Sequence, residues 1–332
     1  MIAAICEGKI CHEETRENST IIKEKKYPRA IELANPSGFL NTAPFKLADI
    51  VGKKIILVDF WTYSCINCQR TTPYLNAWYE KYRDQGFEIV GVHTPEFEFE
   101  KERANVETAI KKFGIKYPVV QDNDYGTWTA YSNRYWPRKY LIDIDGFIVY
   151  DHIGEGNYDE TENKIRELLK ERMERLRVAQ SISETKADPK NVVAIDFRKV
   201  QSPETYFGSK RNQNFGNGTP GATEQKEFST PSFIMPNTLY LNGMWDIQPE
   251  YAEAKTAGTK IIFRFNAKNV YLVASAAEAT LIRIVIDGKE TKTLKIQPEE
   301  LYTITELPDY GQHVLEIIIE KEGLRAFAFT FG

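Results

Sequence analysis

The stretch Lys54-Ile-Ile-Leu-Val-Asp-Phe-Trp-Thr-Tyr-Ser-Cys-Ile-Asn-Cys68 decides the fold. Its first seven residues are nearly all apolar, as expected of a strand buried on both faces. Beyond it Leu75, Trp78, Tyr79 and Tyr82 recur at spacings of three and four, which predicts a helix over about 65–84. Cys65 and Cys68 therefore stand where a buried strand gives way to a helix. Two cysteines so placed bring their sulfurs close enough for a small disulfide ring. At the helix N-terminus, Cys65 gains N–H groups and the positive end of the macrodipole, which stabilise a thiolate. Cys68, inside the first turn, is more shielded and can attack a mixed disulfide to release product.

Working outward, 87–93 reads as a second buried strand and 99–113 as a helix ended by Gly114. A short third strand follows over 117–121 and a short helix over 124–132. The β-rich runs 139–144 and 147–152 are separated by Asp145-Gly146, a strong hairpin signal. Residues 159–181 form a long helix whose mixed charges read as a solvated outer face. This order implies an α/β domain over 31–181, a mixed sheet flanked by helices. Residues 1–30 are polar and read as a flexible tail; 182–191, with Pro189, reads as a linker.

From 192 to 332 the texture becomes all-β. Strand-like runs lie at 192–197, 238–241, 260–265, 270–274, 281–287, 301–306, 314–320 and 326–331. Turn signals at Asp287-Gly288 and Tyr310-Gly311 punctuate them, and a long glycine-rich loop spans 202–229. Short strands without helices point to a β-sandwich.

The length of 332 residues agrees with two domains. With 43 basic and 47 acidic residues the net charge is −4, which argues against nucleic acid as a partner. No run approaches the roughly 18 apolar residues of a membrane span. The start, Met1-Ile-Ala-Ala-Ile-Cys6, has no basic n-region. Together these give the expectation of a cytoplasmic chain in a reducing compartment. Four cysteines are too few for a stapled scaffold and come as two close pairs, Cys6/Cys11 and Cys65/Cys68. A zinc site would need a second ligand pair near Cys65/Cys68, and His12, His93 and Cys6/Cys11 are not spaced to supply one.

At these residues the chain resembles the thioredoxin superfamily. Asp59-Phe60-Trp61 starts six residues before Cys65, Pro73 falls five after Cys68, and Trp136-Pro137 stands where the family carries its cis-proline. The added 99–113 helix and the N-terminal extension resemble the TlpA/ResA-like branch. The runs Phe60 to Cys68, Val92-His-Thr-Pro-Glu-Phe97 and Asn133-Arg-Tyr-Trp-Pro137 are similar to the thioredoxin-like part of DipZ proteins. DipZ proteins join a CcdA-type membrane domain to a thioredoxin-like domain and a carbohydrate-binding-like β-domain. The resemblance covers about 36–332 and implies a jelly-roll, galactose-binding-like C-terminal domain and an extracytoplasmic setting.

The resemblance implies a thiol-disulfide oxidoreductase with Cys65 as nucleophile and Cys68 as resolving thiol. Asp59 becomes a desolvated carboxyl that shuttles the Cys68 proton, replacing the acid that ResA-like proteins supply near the second cysteine, where Thr71 stands here. Pro137 in cis, Trp136 and Trp61 become substrate-binding residues. His93 and Glu96 either line the site or belong to a solvated loop. Cys6 and Cys11 read as incidental cysteines, an accessory dithiol or a metal trap. No cofactor beyond a Cys65–Cys68 disulfide is expected. Partners are protein thiols and disulfides and an electron donor of thioredoxin-reductase or CcdA type.

Two alternatives remain. Thr62-x-x-Cys65 with Arg138 matches half of a peroxiredoxin signature, although Val58 stands where that signature has proline. A binding module is the other: Tyr206, Tyr240, Trp245 and Tyr251 in the sandwich can stack on sugars or serve as core.

Overall fold

The computed structural model describes residues 21–332 apart from Gln180 and Glu184. The chain divides between Val192 and Val193 into two units.

The first unit opens with a short strand, β1 (Gly38–Leu40). Three residues are too few to show an alternation, and the sequence pattern misses it. The apolar run becomes β2 (Ile55–Trp61), buried throughout. Its residues alternate between two cores: Ile55, Leu57 and Trp61 join one, Ile56, Val58 and Phe60 the other. Then follow α1 (Ile66–Tyr82), β3 (Phe87–His93), α2 (Arg103–Phe113), β4 (Val119–Gln121), α3 (Gly126–Ala130), β5 (Arg138–Ile142), β6 (Ile148–Ile153) and α4 (Tyr158–Leu176). The sheet order is β1-β4-β3-β2-β5-β6. β2, β3 and β4 are parallel, and the β1, β5 and β6 pairings are antiparallel. This is the expected mixed sheet of a thioredoxin-like fold.

Several boundaries move. α2 starts at Arg103 because 98–101 turn separately as a 3₁₀ helix, and Gly114 ends it at φ 66°. α4 ends at Leu176, five residues before its expected end. Residues 21–30 correct the expected tail: 21–26 are helical, and the Ile148 N–H donates to the Pro28 carbonyl. The Lys23 ammonium sits among Asp143 at 2.6 Å, Asp145 at 3.0 Å and Glu171. Its charge is matched by acids of the domain rather than by water. The expected linker also packs on this unit. Ile182 and Ala187 join the core, and the Ala187 N–H donates to Glu162 at 2.6 Å.

The second unit is all-β, as expected. Its strands are β7 (Thr205–Tyr206), β8 (Glu224–Phe228), β9 (Leu239–Ile247), β10 (Ala252–Ala254), β11 (Lys260–Ala276), β12 (Thr280–Ile286), β13 (Lys289–Ile296), β14 (Glu300–Ile319) and β15 (Leu324–Phe331). Hydrogen bonds link them in one sheet, β13-β12-β14-β11-β15-β10-β9-β8, with β7 on β15 and a further β11–β9 pairing. That last pairing closes a ring through β9, β10, β15 and β11. The polar break after Phe265 is a bulge at Ala267–Asn269 inside one strand. Gly311, read as a turn residue, pairs with Ala267 in the middle of β14. Residues 192–197 form no strand; there the Asp196 N–H donates to the Tyr310 hydroxyl. Trp245 is fully buried in the apolar core and Tyr240 is buried too, so neither is a sugar platform. Tyr206 and Tyr251 are partly exposed, with Arg211 and Arg325 over their rings.

Candidate active site

β2 ends at Trp61 and α1 begins at Ile66, so the dithiol falls on the junction as expected. Cys65 is the N-cap of α1, in extended geometry, and no side chain caps the helix. The first-turn N–H groups are therefore left facing the Cys65 side of the helix end. Cys65 is half-buried and Cys68 is only 2% exposed; both are free thiols here. The Cys65 thiol donates to the Trp136 carbonyl at 3.9 Å. The two thiols are hydrogen-bonded to each other, and the Thr62 backbone N–H donates to the Cys68 sulfur. Burial, the Cys65 neighbour and the Asp59 charge hold the Cys68 thiol well above its ordinary range. One thiol faces outward and the other is kept protonated inside.

Asp59 lies on β2, 1% exposed. Burial pushes its carboxyl up to about 7, with the Lys139 charge pulling it back. Its Oδ1 has no hydrogen-bond partner among the described residues. Lys139 is its antiparallel register partner on β5, buried completely. Sequence reasoning missed Lys139. The available signal was a lysine two residues after Pro137, at an inward position of a strand that otherwise reads Tyr140-Leu141-Ile142.

Two further groups, also missed, hold the dithiol loop. Glu100 is fully buried and accepts from the Ser64 N–H at 3.2 Å, the Ser64 hydroxyl at 2.7 Å, and the Glu96 and Phe97 N–H groups at 2.6 and 3.0 Å. Arg70 grips Glu155 through Nε and Nη2, and the same Nη2 donates to Asn67 Oδ1, inside the dithiol spacer. Neither carries a local pattern that points to the site, since Ser64 and Glu100 lie 36 residues apart and Arg70 and Glu155 lie 85 apart.

The other expected site residues fall as follows. The Trp136–Pro137 bond is cis. Trp136 is half-buried; its indole N–H donates to the Thr94 carbonyl at 3.0 Å and its ring lies 4.2 Å from that of Trp128. Trp61 shares an apolar cluster with Cys68 but is 2% exposed, so it supports the dithiol from within and offers no face to substrate. His93 corrects the solvated-loop expectation. The β2–β3 ladder runs on to the Trp61–His93 pair, burying the imidazole edge-on to Trp61 and stacked on Tyr63. Burial lowers it to about 3, so it stays neutral. Glu96 is half-buried and contributes its backbone N–H to Glu100. Cys6 and Cys11 lie outside the described residues. Arg138 pairs with Asp151 at 2.7 Å and lies over the Tyr140 ring. The Thr62 hydroxyl bonds Glu100 and lies 3.5 Å from His93 Nε2.

Residues 29–151 match the AhpC/TSA family model, and 202–332 match the model described as thioredoxin-like C-terminal domain. Protein DipZ of Mycobacterium tuberculosis is 37% identical over 307 residues, 91% of this chain and 43% of that protein. The chain thus spans less than half the length of that relative. The thiol-disulfide oxidoreductase ResA of Bacillus cereus is 32% identical over 133 residues, 37% of this chain and 74% of ResA. The solved thioredoxin domain of a thiol-disulfide oxidoreductase from Bacteroides vulgatus is 27% identical, covers 42% of this chain and 96% of that one, with a TM-score of 0.35.

Proposed function

This chain belongs to the ResA-like thiol-disulfide oxidoreductases of the thioredoxin superfamily, and on that premise we propose that it reduces or interchanges disulfides of protein substrates through Cys65 and Cys68. The observation that carries the reading is the split between the two sulfurs. Cys65 caps a helix beside the Trp136 carbonyl, and Cys68 is sealed behind it above a buried carboxyl.

In the first step the Cys65 thiolate attacks a substrate disulfide; a Cys65–substrate bond forms and the first substrate sulfur leaves as a thiolate. In the second, Asp59 takes the Cys68 proton and the Cys68 sulfur attacks Cys65 Sγ. The Cys65–Cys68 disulfide forms, the mixed disulfide breaks, and the second substrate thiol departs. The substrate is reduced by two electrons and the dithiol oxidised by two. A carboxyl near 7 is suited to both taking and returning this proton at neutral pH. The Trp136 backbone and Pro137, beside Cys65, form the seat for an extended substrate segment.

The spacer Ile66-Asn67 lacks the histidine of strongly oxidising relatives, which favours the reducing direction. An upstream dithiol donor, of thioredoxin-reductase or CcdA type, would regenerate the thiols. The β-unit serves as an accessory binding domain, with Tyr206 and Tyr251 as its candidate carbohydrate contacts. No helix among the described residues is long and apolar enough to cross a membrane. The peroxidase alternative gains nothing from the site, because the Thr62 hydroxyl and Arg138 are both engaged elsewhere. The test is turnover of a disulfide-bonded protein. Cys65→Ser abolishes it, and Cys68→Ser accumulates a Cys65–substrate mixed disulfide; a Cys65→Ser chain that keeps full turnover overturns the reading.

A further inference from the structure

Tyr135 has no part in the scheme above, yet it leaves its ring in solvent one residue before Trp136. We propose that Tyr135 is a specificity-determining residue: its ring docks an aromatic side chain carried close to the reactive cysteine of a protein substrate. Disulfides flanked by aromatic residues are thereby reduced in preference to others. The inference rests on the dithiol reading and names the class of substrate that the site selects.

A lone exposed aromatic is ordinary on a protein surface, but three properties set this one apart. The first is place. Tyr135 directly precedes Trp136, whose carbonyl accepts from the Cys65 thiol at 3.9 Å. Covalent geometry then keeps the Tyr135 Cα within about 10 Å of the reactive sulfur. An extended substrate advances roughly 3.3 Å per residue, so Tyr135 stands opposite positions within about three residues of the substrate cysteine. The second is the absence of a partner. The Tyr135 side chain is 48% exposed, and among the described residues no ring, cation or hydrogen bond engages it. The other tyrosines described in this unit each meet a ring, a cation or a hydroxyl.

The third is rigidity. Asn133 is only 3% exposed, and the loop folds around its amide. Its Oδ1 accepts from the Arg134 N–H at 2.8 Å and the Tyr135 N–H at 3.3 Å, while its Nδ2 donates to the Tyr135 carbonyl at 3.1 Å. The Asn133 N–H in turn donates to the Trp128 carbonyl at 2.9 Å. On the other side Trp136 is pinned, its indole N–H on the Thr94 carbonyl and its ring against Trp128. Both main-chain polar groups of Tyr135 are thus engaged within the protein, and its ring is what it offers a substrate. A ring on so fixed a support loses little freedom on binding, which makes an aromatic anchor effective. Its complement is a second aromatic side chain, because offset and edge-on ring pairs gain beyond the area they bury.

The test uses the full chain with Cys6→Ser and Cys11→Ser, reduced, and a set of disulfide-bonded peptides. Each peptide carries a phenylalanine at a different position near one cysteine, on either side of it, and the reference peptide has alanine at all of them. Acid quenching, alkylation and mass measurement follow the reduction of each peptide. The readout is the rate of the fastest phenylalanine peptide relative to the alanine peptide. This preference should be about fivefold, the size of an aromatic pair. It should vanish in Tyr135→Ala and persist in Tyr135→Phe, which keeps the ring. No preference in the Tyr135 chain, a preference that survives Tyr135→Ala, or one lost in Tyr135→Phe overturns the proposal. Because the comparison is made within each variant, a general slowing from a disturbed loop does not imitate the effect. If the Tyr135 chain reduces none of the peptides, the dithiol reading itself fails, which is a different result.

Discussion

Arg70 and Glu155 form a two-pronged ion pair inside the thioredoxin-like unit, Nε at 2.9 Å and Nη2 at 2.6 Å from the carboxylate, with side chains only 4% and 8% exposed. The pair joins the dithiol helix to the turn after β6, and through Arg70 Nη2 it holds Asn67 between the two cysteines. Removing one partner leaves the other as an unbalanced buried charge. Arg70→Met or Glu155→Leu alone should therefore cost about 3–5 kcal/mol, and the double variant less than either. Urea unfolding of the three variants checks this; equal or additive losses would mean that the pair acts as two solvated charges.

Glu100 makes a separate prediction. Besides the Thr62 hydroxyl, its carboxylate collects four donors, two of them from Ser64, the residue before Cys65. Glu100→Ala strands the Ser64, Glu96 and Phe97 N–H groups and should destabilise the fold by about 2–4 kcal/mol. The turn that presents Cys65 loosens with it. With 5,5′-dithiobis(2-nitrobenzoate), where attack by Cys65 releases the first thionitrobenzoate and resolution by Cys68 the second, the first release should slow.

Asp59 should make stability depend on pH in a defined window. Its folded value rises from an ordinary 3.8 to about 7. Between these values the folded chain holds a proton that the unfolded chain has lost. Its contribution is thus full below about pH 4 and declines as pH rises through 7. Asp59→Asn has no such dependence and should be more stable than the parent above pH 7, by an amount on the order of a few kcal/mol. Urea midpoints for the two chains should converge on going down to pH 4; parallel curves would contradict the buried carboxyl.

His93 acts in the opposite sense. Burial lowers its imidazole from 6.5 to about 3, so the unfolded chain takes up a proton the folded chain refuses. Its contribution is full above about pH 6.5 and falls as pH drops towards 3. His93→Phe, which keeps a ring between Trp61 and Tyr63, should remove this part of the acid sensitivity without altering the second thionitrobenzoate release at pH 7. Acid unfolding followed by tryptophan fluorescence makes the comparison.

The dithiol junction was legible because three local signals agree there: the apolar run 55–58, the helical spacing after Cys65, and the Cys-x-x-Cys itself. The Asp145-Gly146 hairpin was legible for the same reason, being local. What escaped is set by register and by distant pairing. Lys139 becomes a site residue only once β5 is placed antiparallel to β2, and Glu100 and Glu155 find Ser64 and Arg70 across long stretches of chain. In the β-unit, the polar residues after Phe265 and the Tyr310-Gly311 pair imitate turns, yet long-strand pairing carries the chain straight through both. His93 was misplaced because its surroundings depend on how far the β2–β3 ladder runs, which the local sequence does not state.

The central claim is that Cys65 and Cys68 act as one two-electron couple. The direct test equilibrates the full chain, with Cys6→Ser and Cys11→Ser, in thiol-disulfide buffers of known potential, and then alkylates and weighs it. The expected result is that both cysteines lose alkylation together in a single transition. Its midpoint should lie nearer the roughly −270 mV of thioredoxin than the roughly −120 mV of DsbA. Oxidation of Cys65 alone, with Cys68 still alkylated and no disulfide between them at any potential, would contradict the account.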